Sequence, residues 1–330
     1  MTAYALTTFS VGNQPAVPGL VIGNRVAAIA DLCGTSAEYA ELRDHATLLA
    51  ILDAWDLCLP LLDRLAERAY DGAVWRGLEA VRIHAPIPQP RQIFCTGANY
   101  RKHVVDLTID SGVGPEGLSG ADLRRWAEEM MDERAAHGEP YVFTKPVSAI
   151  AGPYDTLVLP RNTSQPDWEL ELAVVIGRRG RNISRDRALE HAAGYVVAND
   201  ISARDLIPRT DYKMLGTDWL RAKGQPGFLP LGPWLVPARF VPDPHRLRMR
   251  LVVSGRVMQD ETTADMIFGI ERQIEYISRY CELLPGDIIC TGSPAGNGTH
   301  YNRFLQDGDV MEAEIEGLGR QRVACVAESG

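Results

Sequence analysis

The chain has 330 residues, 45% of them hydrophobic and 23% charged, with a formal net charge of -9 and a pI near 5.3. That length admits one large domain with a small companion, or two ordinary domains. An acidic chain without a Lys/Arg-rich run argues against nucleic acid or an anionic membrane surface as partner, and no apolar run reaches the roughly eighteen residues of a membrane span.

The opening, MTAYALTTFS, lacks a basic stretch followed by an apolar one, so no signal peptide is expected. The six cysteines, Cys33, Cys58, Cys95, Cys281, Cys290 and Cys325, show no zinc-ligand spacing. Buried free thiols in a cytoplasmic protein are the expectation.

Residues 4–9, 18–22 and 25–30 read as short strands, with Gly23-Asn24 as a hairpin turn. Residues 36–80 read as helical, with Leu48, Leu49, Leu52, Leu57, Leu61, Leu62 and Leu65 at helix-compatible spacings. Pro86, Pro88 and Pro90 then favour an extended connection. A domain boundary is expected there, between a small N-terminal α+β domain (1–86) and a larger one (87–330).

Residues 119–137 predict a helix, with Ser119 and Asp122 as a capping box and an apolar stripe of Leu123, Trp126 and Met130. Gly112, Gly114, Gly117 and Gly120 lead into it. The insertion over about 107–139 reads equally as a surface helix or as an active-site lid. Strands are expected at 93–96, 157–159, 170–176, 195–198, 249–253, 287–291 and 310–315, rich in β-branched residues and preceded by Gly, Pro or Asp turns. They do not alternate with helices, so a doubly wound parallel sheet is not expected. A mainly β fold with some α, a mixed and largely antiparallel roll or sandwich, fits better.

The most informative segment is Asp167-Trp168-Glu169-Leu170-Glu171, which opens a continuous apolar run. Glu169 and Glu171 are two apart, so on a strand they share one face. Held close in a partly buried site, they repel unless a cation or a proton intervenes. On spacing alone, two exposed glutamates at a strand end is the better reading. A second apolar strand, from Gly194, ends abruptly in Asn199-Asp200. Asp200 is placed to add a third carboxylate, and three such oxygen ligands suit a hard divalent ion.

Six segments together resemble the fumarylacetoacetate hydrolase family over most of residues 90–330. Gly97-Ala98-Asn99-Tyr100-Arg101-Lys102-His103 resembles G-x-N-Y-x-x-H, and Phe143-Thr144-Lys145-Pro146 resembles F-x-K-P. Residues 167–171 resemble D-x-E-x-E, and residues 199–205 resemble N-D-x-[ST]-x-R-D. Residues 285–289 resemble P-G-D-x-I, and residues 291–298 resemble T-G-[TS]-P-x-G-x-G. Acylpyruvate and fumarylpyruvate hydrolases and 2-hydroxyhepta-2,4-diene-1,7-dioate isomerases are members of similar kind.

The resemblance implies a β-sandwich roll of that family's C-terminal type. It implies that Glu169, Glu171 and Asp200 bind Mg²⁺, with Mn²⁺ or Ca²⁺ as alternatives. It implies that His103 is a general base oriented by Asp106, and that Lys223 stabilises an oxyanion. Arg204 and Ser293 fall where relatives contact substrate. Tyr100 and Lys145 are candidate substrate contacts too, with packing the stronger reading for both. The family's K-x-F-D is Lys223-Gly224-Gln225-Pro226 here, so an aromatic and an acid are missing. The expected activity is metal-dependent hydrolysis of a 2,4-dioxo acid, as in aromatic-compound catabolism, by a homodimer acting on a small keto acid. Decarboxylation or keto–enol isomerisation on the same site is the first rival, and a non-catalytic binding protein the second.

Overall fold

The computed structural model describes residues 2–68 and 74–329. Helix and strand occur in comparable shares, a more even balance than the expected mainly β fold. Part of the expected helical stretch 36–80, residues 69–73, lies outside the described residues. Elsewhere in that stretch are short helices rather than one, notably Leu48–Asp53 and Trp55–Arg68. Among the described residues no helix is long and apolar enough to cross a membrane.

Three sheets organise the chain. The first is antiparallel and N-terminal, in the order Arg76–Gly77, Arg25–Ala28, Val17–Ile22, Ala5–Ser10, Arg82–His84. The expected strand 25–30 stops at Ala28 because Ile29–Cys33 turns into a helix that buries Ile29 and Cys33. The central sheet has six strands, in the order Val236–Pro237, Ala192–Asn199, Leu170–Ile176, Ile288–Cys290, Ile93–Gly97, Tyr141–Thr144. Only Ile288–Cys290 and Ile93–Gly97 run parallel within it. The third sheet runs Arg256–Thr262, Arg248–Val253, Val310–Ile315, Gly319–Ala327, Leu157–Leu159.

Side-chain alternation along Leu170–Ile176 decides what each face of the central sheet meets. Leu170, Leu172, Val174 and Ile176 join one core with Met249, Leu251, Met311 and Ile315 of the third sheet. Ala173 and Val175 join a second core, with Leu6, Leu20, Ile51, Trp55 and Leu62 of the N-terminal segment. The strand is therefore buried on both faces, which explains its unbroken apolar sequence. Leu6 and Leu235 also exchange backbone hydrogen bonds of 2.8 and 2.7 Å, so the N-terminal segment is fastened to the central region.

Gly194 sits where the central sheet leaves no room. A Cβ there would lie 2.1 Å from the Val236 carbonyl oxygen. Gly194→Ala is expected to cost about 2 kcal/mol through the forced backbone shift. Urea unfolding should show a lower midpoint with unchanged slope. An unchanged midpoint would mean that the edge strand Val236–Pro237 yields freely.

The expected insertion, about 107–139, takes in the end of the helix Arg101–Ser111 and the whole of the helix Gly120–His137. Its buried stripe is Leu123, Ala127 and Met131, with Trp126 and Met130 only half-buried. The capping box does not form. Ser119 is the N-cap, but its side chain makes no capping bond, and Asp122 lies 3.6 Å from Arg125. Val105, Ala127 and Met131 pack with Ile267 and Phe268 as a satellite core, so the insertion is anchored on the body of the protein. All six cysteines are free, and all but Cys281 are buried, as expected.

Candidate metal centre

The register of two central strands brings the three carboxylates together. Glu171 pairs with Ala198, Leu170 pairs with Asn199, and the Asp200 amide donates to the Glu169 carbonyl at 2.8 Å. Glu169 and Glu171 share the face of Ala173, and Asp200 continues the face of Val196 and Ala198. All three are buried, and each offers an oxygen within 4.8 Å of the other two. Like unit charges at that spacing repel by roughly 3–4 kcal/mol at an effective dielectric constant of about 20.

Three cations answer part of this charge. The Lys223 ammonium closes the short helix Trp219–Lys223 and lies 2.6 Å from Glu169 Oε2 and 2.5 Å from Asp200 Oδ2. Lys145, directly after the strand Tyr141–Thr144, donates to Asp200 Oδ1 at 2.5 Å and to the Phe228 carbonyl at 2.7 Å. Arg204 donates through Nε to Asp167 at 2.8 Å, and its outer nitrogen lies 2.6 Å from Glu169 Oε1. That outer nitrogen is buried and is ion-paired with Glu169.

Burial alone would raise Glu169, but Lys223 and Arg204 overturn it and hold the carboxyl at about 2. Burial would likewise discharge Lys223, yet Asp200 and Glu169 keep it firmly an ammonium. Glu171 has no such partner. It accepts one backbone bond, from Gly292 N at 2.7 Å. Burial first, then Asp200, Cys290 and Glu169, push its carboxyl well above the usual range.

Four buried carboxyl groups, counting Asp167, thus face three cations, and the one left without a cation of its own is Glu171. A buried all-oxygen donor set with one carboxyl left over in this way has the chemistry of a hard divalent-cation site. Glu169, Glu171 and Asp200 fit that group.

The other expected residues are distributed as follows. His103 stands in the first turn of the helix Arg101–Ser111, half-buried. Burial lowers its imidazole to about 4, with Glu169 and Arg204 the largest charged influences, in opposite senses. It is therefore neutral near pH 7. Asp106 does not hydrogen-bond it among the described residues. The Asp106 carboxylate faces Arg124 of the second insertion helix, at 3.3 Å. Ser293 is buried beside the centre and accepts from Gln259 Nε2 at 3.0 Å. Tyr100 is fully enclosed in the core, and its hydroxyl is turned to the Met249 sulfur at 3.4 Å, which leaves it the packing role. Lys145 is neither a packing residue nor a free cation, since its ammonium is committed to Asp200 and the Phe228 carbonyl.

Several supporting residues escaped the sequence reading. Gln259, buried, accepts from the Leu170 amide at 3.1 Å and donates to Ser293 and to the Pro294 carbonyl, tying the carboxylate strand to the glycine-rich loop. Asn199 Oδ1 accepts from the Glu169 amide at 2.9 Å. Asp167 gathers four donors, from Arg204, Gly298 and twice from Thr299. Only Asn199 and Asp167 carried a signal, as members of the motifs already quoted.

Comparison with known proteins matches residues 92–326 to the fumarylacetoacetate (FAA) hydrolase C-terminal family. Oxaloacetate tautomerase FAHD2A, mitochondrial, of Bos taurus is 36% identical over 287 residues, 86% of this chain and 77% of the relative. The 2,4-didehydro-3-deoxy-L-rhamnonate hydrolase of Sphingomonas sp. (strain SKA58) is 46% identical over 187 residues, 56% of this chain and 64% of the relative. The crystal structure of maleylpyruvate hydrolase from Sphingobium sp. SYK-6, in complex with manganese(II) ion and pyruvate, superposes with a TM-score of 0.71 at 27% identity, covering 98% of this chain and 100% of that one.

Proposed function

This chain belongs to the fumarylacetoacetate hydrolase family, and we propose that it is a divalent-metal-dependent enzyme hydrolysing the C–C bond of a 2,4-dioxo acid. The observation that carries this reading is the buried trio Glu169, Glu171 and Asp200, within 4.8 Å of one another, beside a neutral histidine and two cations. A hard cation in that trio, Mg²⁺ in our reading with Mn²⁺ or Ca²⁺ accepted by the same oxygens, supplies Lewis acidity toward the keto and enolate oxygens of the substrate.

His103, neutral, takes a proton from water. The hydroxide so formed adds to the distal carbonyl carbon. Lys223 donates to the oxyanion that develops there. Arg204 holds the substrate carboxylate, and Ser293, fixed by Gln259, is a second substrate contact. Collapse of the tetrahedral oxyanion breaks the bond to C3 and releases an acid and the enolate of pyruvate, which takes up a proton.

Keto–enol tautomerisation of oxaloacetate is the second reading, favoured by the 36% identity to a tautomerase over 86% of this chain. It needs proton transfer at C3 but no nucleophilic water. The deciding experiment offers acylpyruvates and enol-oxaloacetate to metal-stripped protein, with and without added Mg²⁺ or Mn²⁺. Metal-dependent release of pyruvate and a second acid is expected. Isomerisation without any cleavage would transfer the assignment to the tautomerase.

The state of His103 sets the pH profile. Only the unprotonated ring accepts a proton, so activity should fall as pH drops through its pKa. Burial places that pKa at about 4, below the ordinary value of about 6.5. The acid limb of kcat/KM is therefore expected well below pH 6, with a flat profile from there to neutrality. A limb centred at the ordinary histidine value would show that the ring is more solvated than its setting here.

A further inference from the structure

Arg204 is the most exposed of the centre's three cations. Its Nε is given to Asp167 and one outer nitrogen is ion-paired with Glu169, while its other outer nitrogen has no partner among the described residues. Its side chain keeps 18% of its surface exposed, whereas the Asp167 side chain has none. The two residues face each other because the short strands Pro166–Asp167 and Ser202–Ala203 pair, with Asp167 opposite Ser202. The Arg204 amide then donates to the Gln165 carbonyl at 3.0 Å.

The far side of Asp167 is equally committed. Oδ1 accepts from Gly298 N at 2.6 Å, and Oδ2 accepts from Thr299 N at 3.2 Å and Thr299 Oγ1 at 3.1 Å. The contact is too close for any side chain at 298, where a Cβ would lie 2.7 Å from Asp167 Oδ1. Asp167 therefore cannot follow Arg204 if the guanidinium swings. A fully buried carboxylate fixed from behind makes a rigid anchor for a flexible arginine.

We propose that Asp167 is the positioning residue for Arg204. It holds the Nε edge so that the free outer nitrogen faces the space beside Glu169, ready for a substrate carboxylate. This rests on the keto-acid reading of the site. Without the anchor, Glu169 is the remaining carboxylate within reach, and the guanidinium would turn wholly to it, taking the free outer nitrogen out of reach of an anion.

Asp167→Asn tests this, because asparagine keeps one oxygen for the Gly298 amide but turns a donor toward Arg204. Oxalate is the probe, as a small chelating dianion, titrated calorimetrically into Mn²⁺-loaded protein. The variant is expected to bind oxalate about 10- to 100-fold more weakly, with Mn²⁺ affinity held within about threefold. Thr299→Val removes a loop contact to Asp167 while leaving Arg204 anchored, and should bind oxalate like the wild type. Adding Asp167→Asn to Arg204→Met should weaken oxalate no further than Arg204→Met alone, within about twofold.

Additive losses, or an oxalate affinity indifferent to Asp167, would overturn the positioning role and leave the metal centre standing. Wild-type protein that takes up no Mn²⁺ would remove the metal centre instead. The same comparison made with oxalate and metal-free protein then decides the role of Asp167.

Discussion

His103→Ala is expected to lose about 100- to 10,000-fold in kcat, the usual worth of a positioned general base, while taking up Mn²⁺ as the wild type does. The reasons are local. The ring is half-buried at the start of its helix, neutral near pH 7, and without a hydrogen-bond partner among the described residues. It is close enough to the centre for Glu169 and Arg204 to act on its charge, yet it is not one of the carboxylate ligands. A neutral imidazole with both nitrogens uncommitted can accept a proton from water and hand it on. Asp106→Asn is expected to cost much less, because the Asp106 carboxylate faces Arg124 rather than the ring. Wild-type turnover by His103→Ala, with acylpyruvate as substrate and pyruvate as the product followed, would remove the base assignment. A loss in Asp106→Asn as deep as in His103→Ala would mean that the two groups join once substrate is bound.

The grouping of the three carboxylates is only partly legible in local pattern, since spacing alone favours two exposed glutamates and the family resemblance tips the reading. Two glutamates two apart on a strand must share a face, and an aspartate that ends an apolar strand must leave the sheet near its rim. The pairing of Glu171 with Ala198 then aligns the two signals. What surrounds the trio was not readable, because it depends on contacts across large sequence separations. Lys145 reaches Asp200 from 55 residues away, and Gln259 reaches Leu170 from 89. Neither lies in a local pattern that demands a buried polar partner, so Lys145 read more naturally as packing beside Pro146. Asp106 is a related case. Its spacing puts it one turn from His103, but Arg124 on the neighbouring helix competes for it. The helix Ile270–Tyr280 is a different kind of miss. Ile270, Ile274 and Ile277 are buried at i, i+4 and i+7, a signal that was present and passed over beside the more conspicuous strands.

Glu171→Gln is expected to move stability in opposite directions with and without metal. In metal-free protein Glu171 is a buried carboxylate without a cation of its own, and burial together with Asp200, Cys290 and Glu169 disfavours its charge. Glutamine keeps the acceptor oxygen for the Gly292 amide and removes that charge. The metal-free variant should therefore melt above metal-free wild type, by roughly 2 °C for each kcal/mol recovered. Added Mg²⁺ should reverse the order. A ligand that binds only the folded state stabilises it by about 2.7 kcal/mol at a hundred times its Kd, and the wild type gains this while the variant does not. Turnover should fall with the lost metal. Differential scanning calorimetry of both proteins, in EDTA and in Mg²⁺, reads all four states. A variant that melts lower than wild type in EDTA and still gains from Mg²⁺ would make Glu171 a structural carboxyl. The cation would then rest on Glu169 and Asp200, the two that Lys223 bridges here.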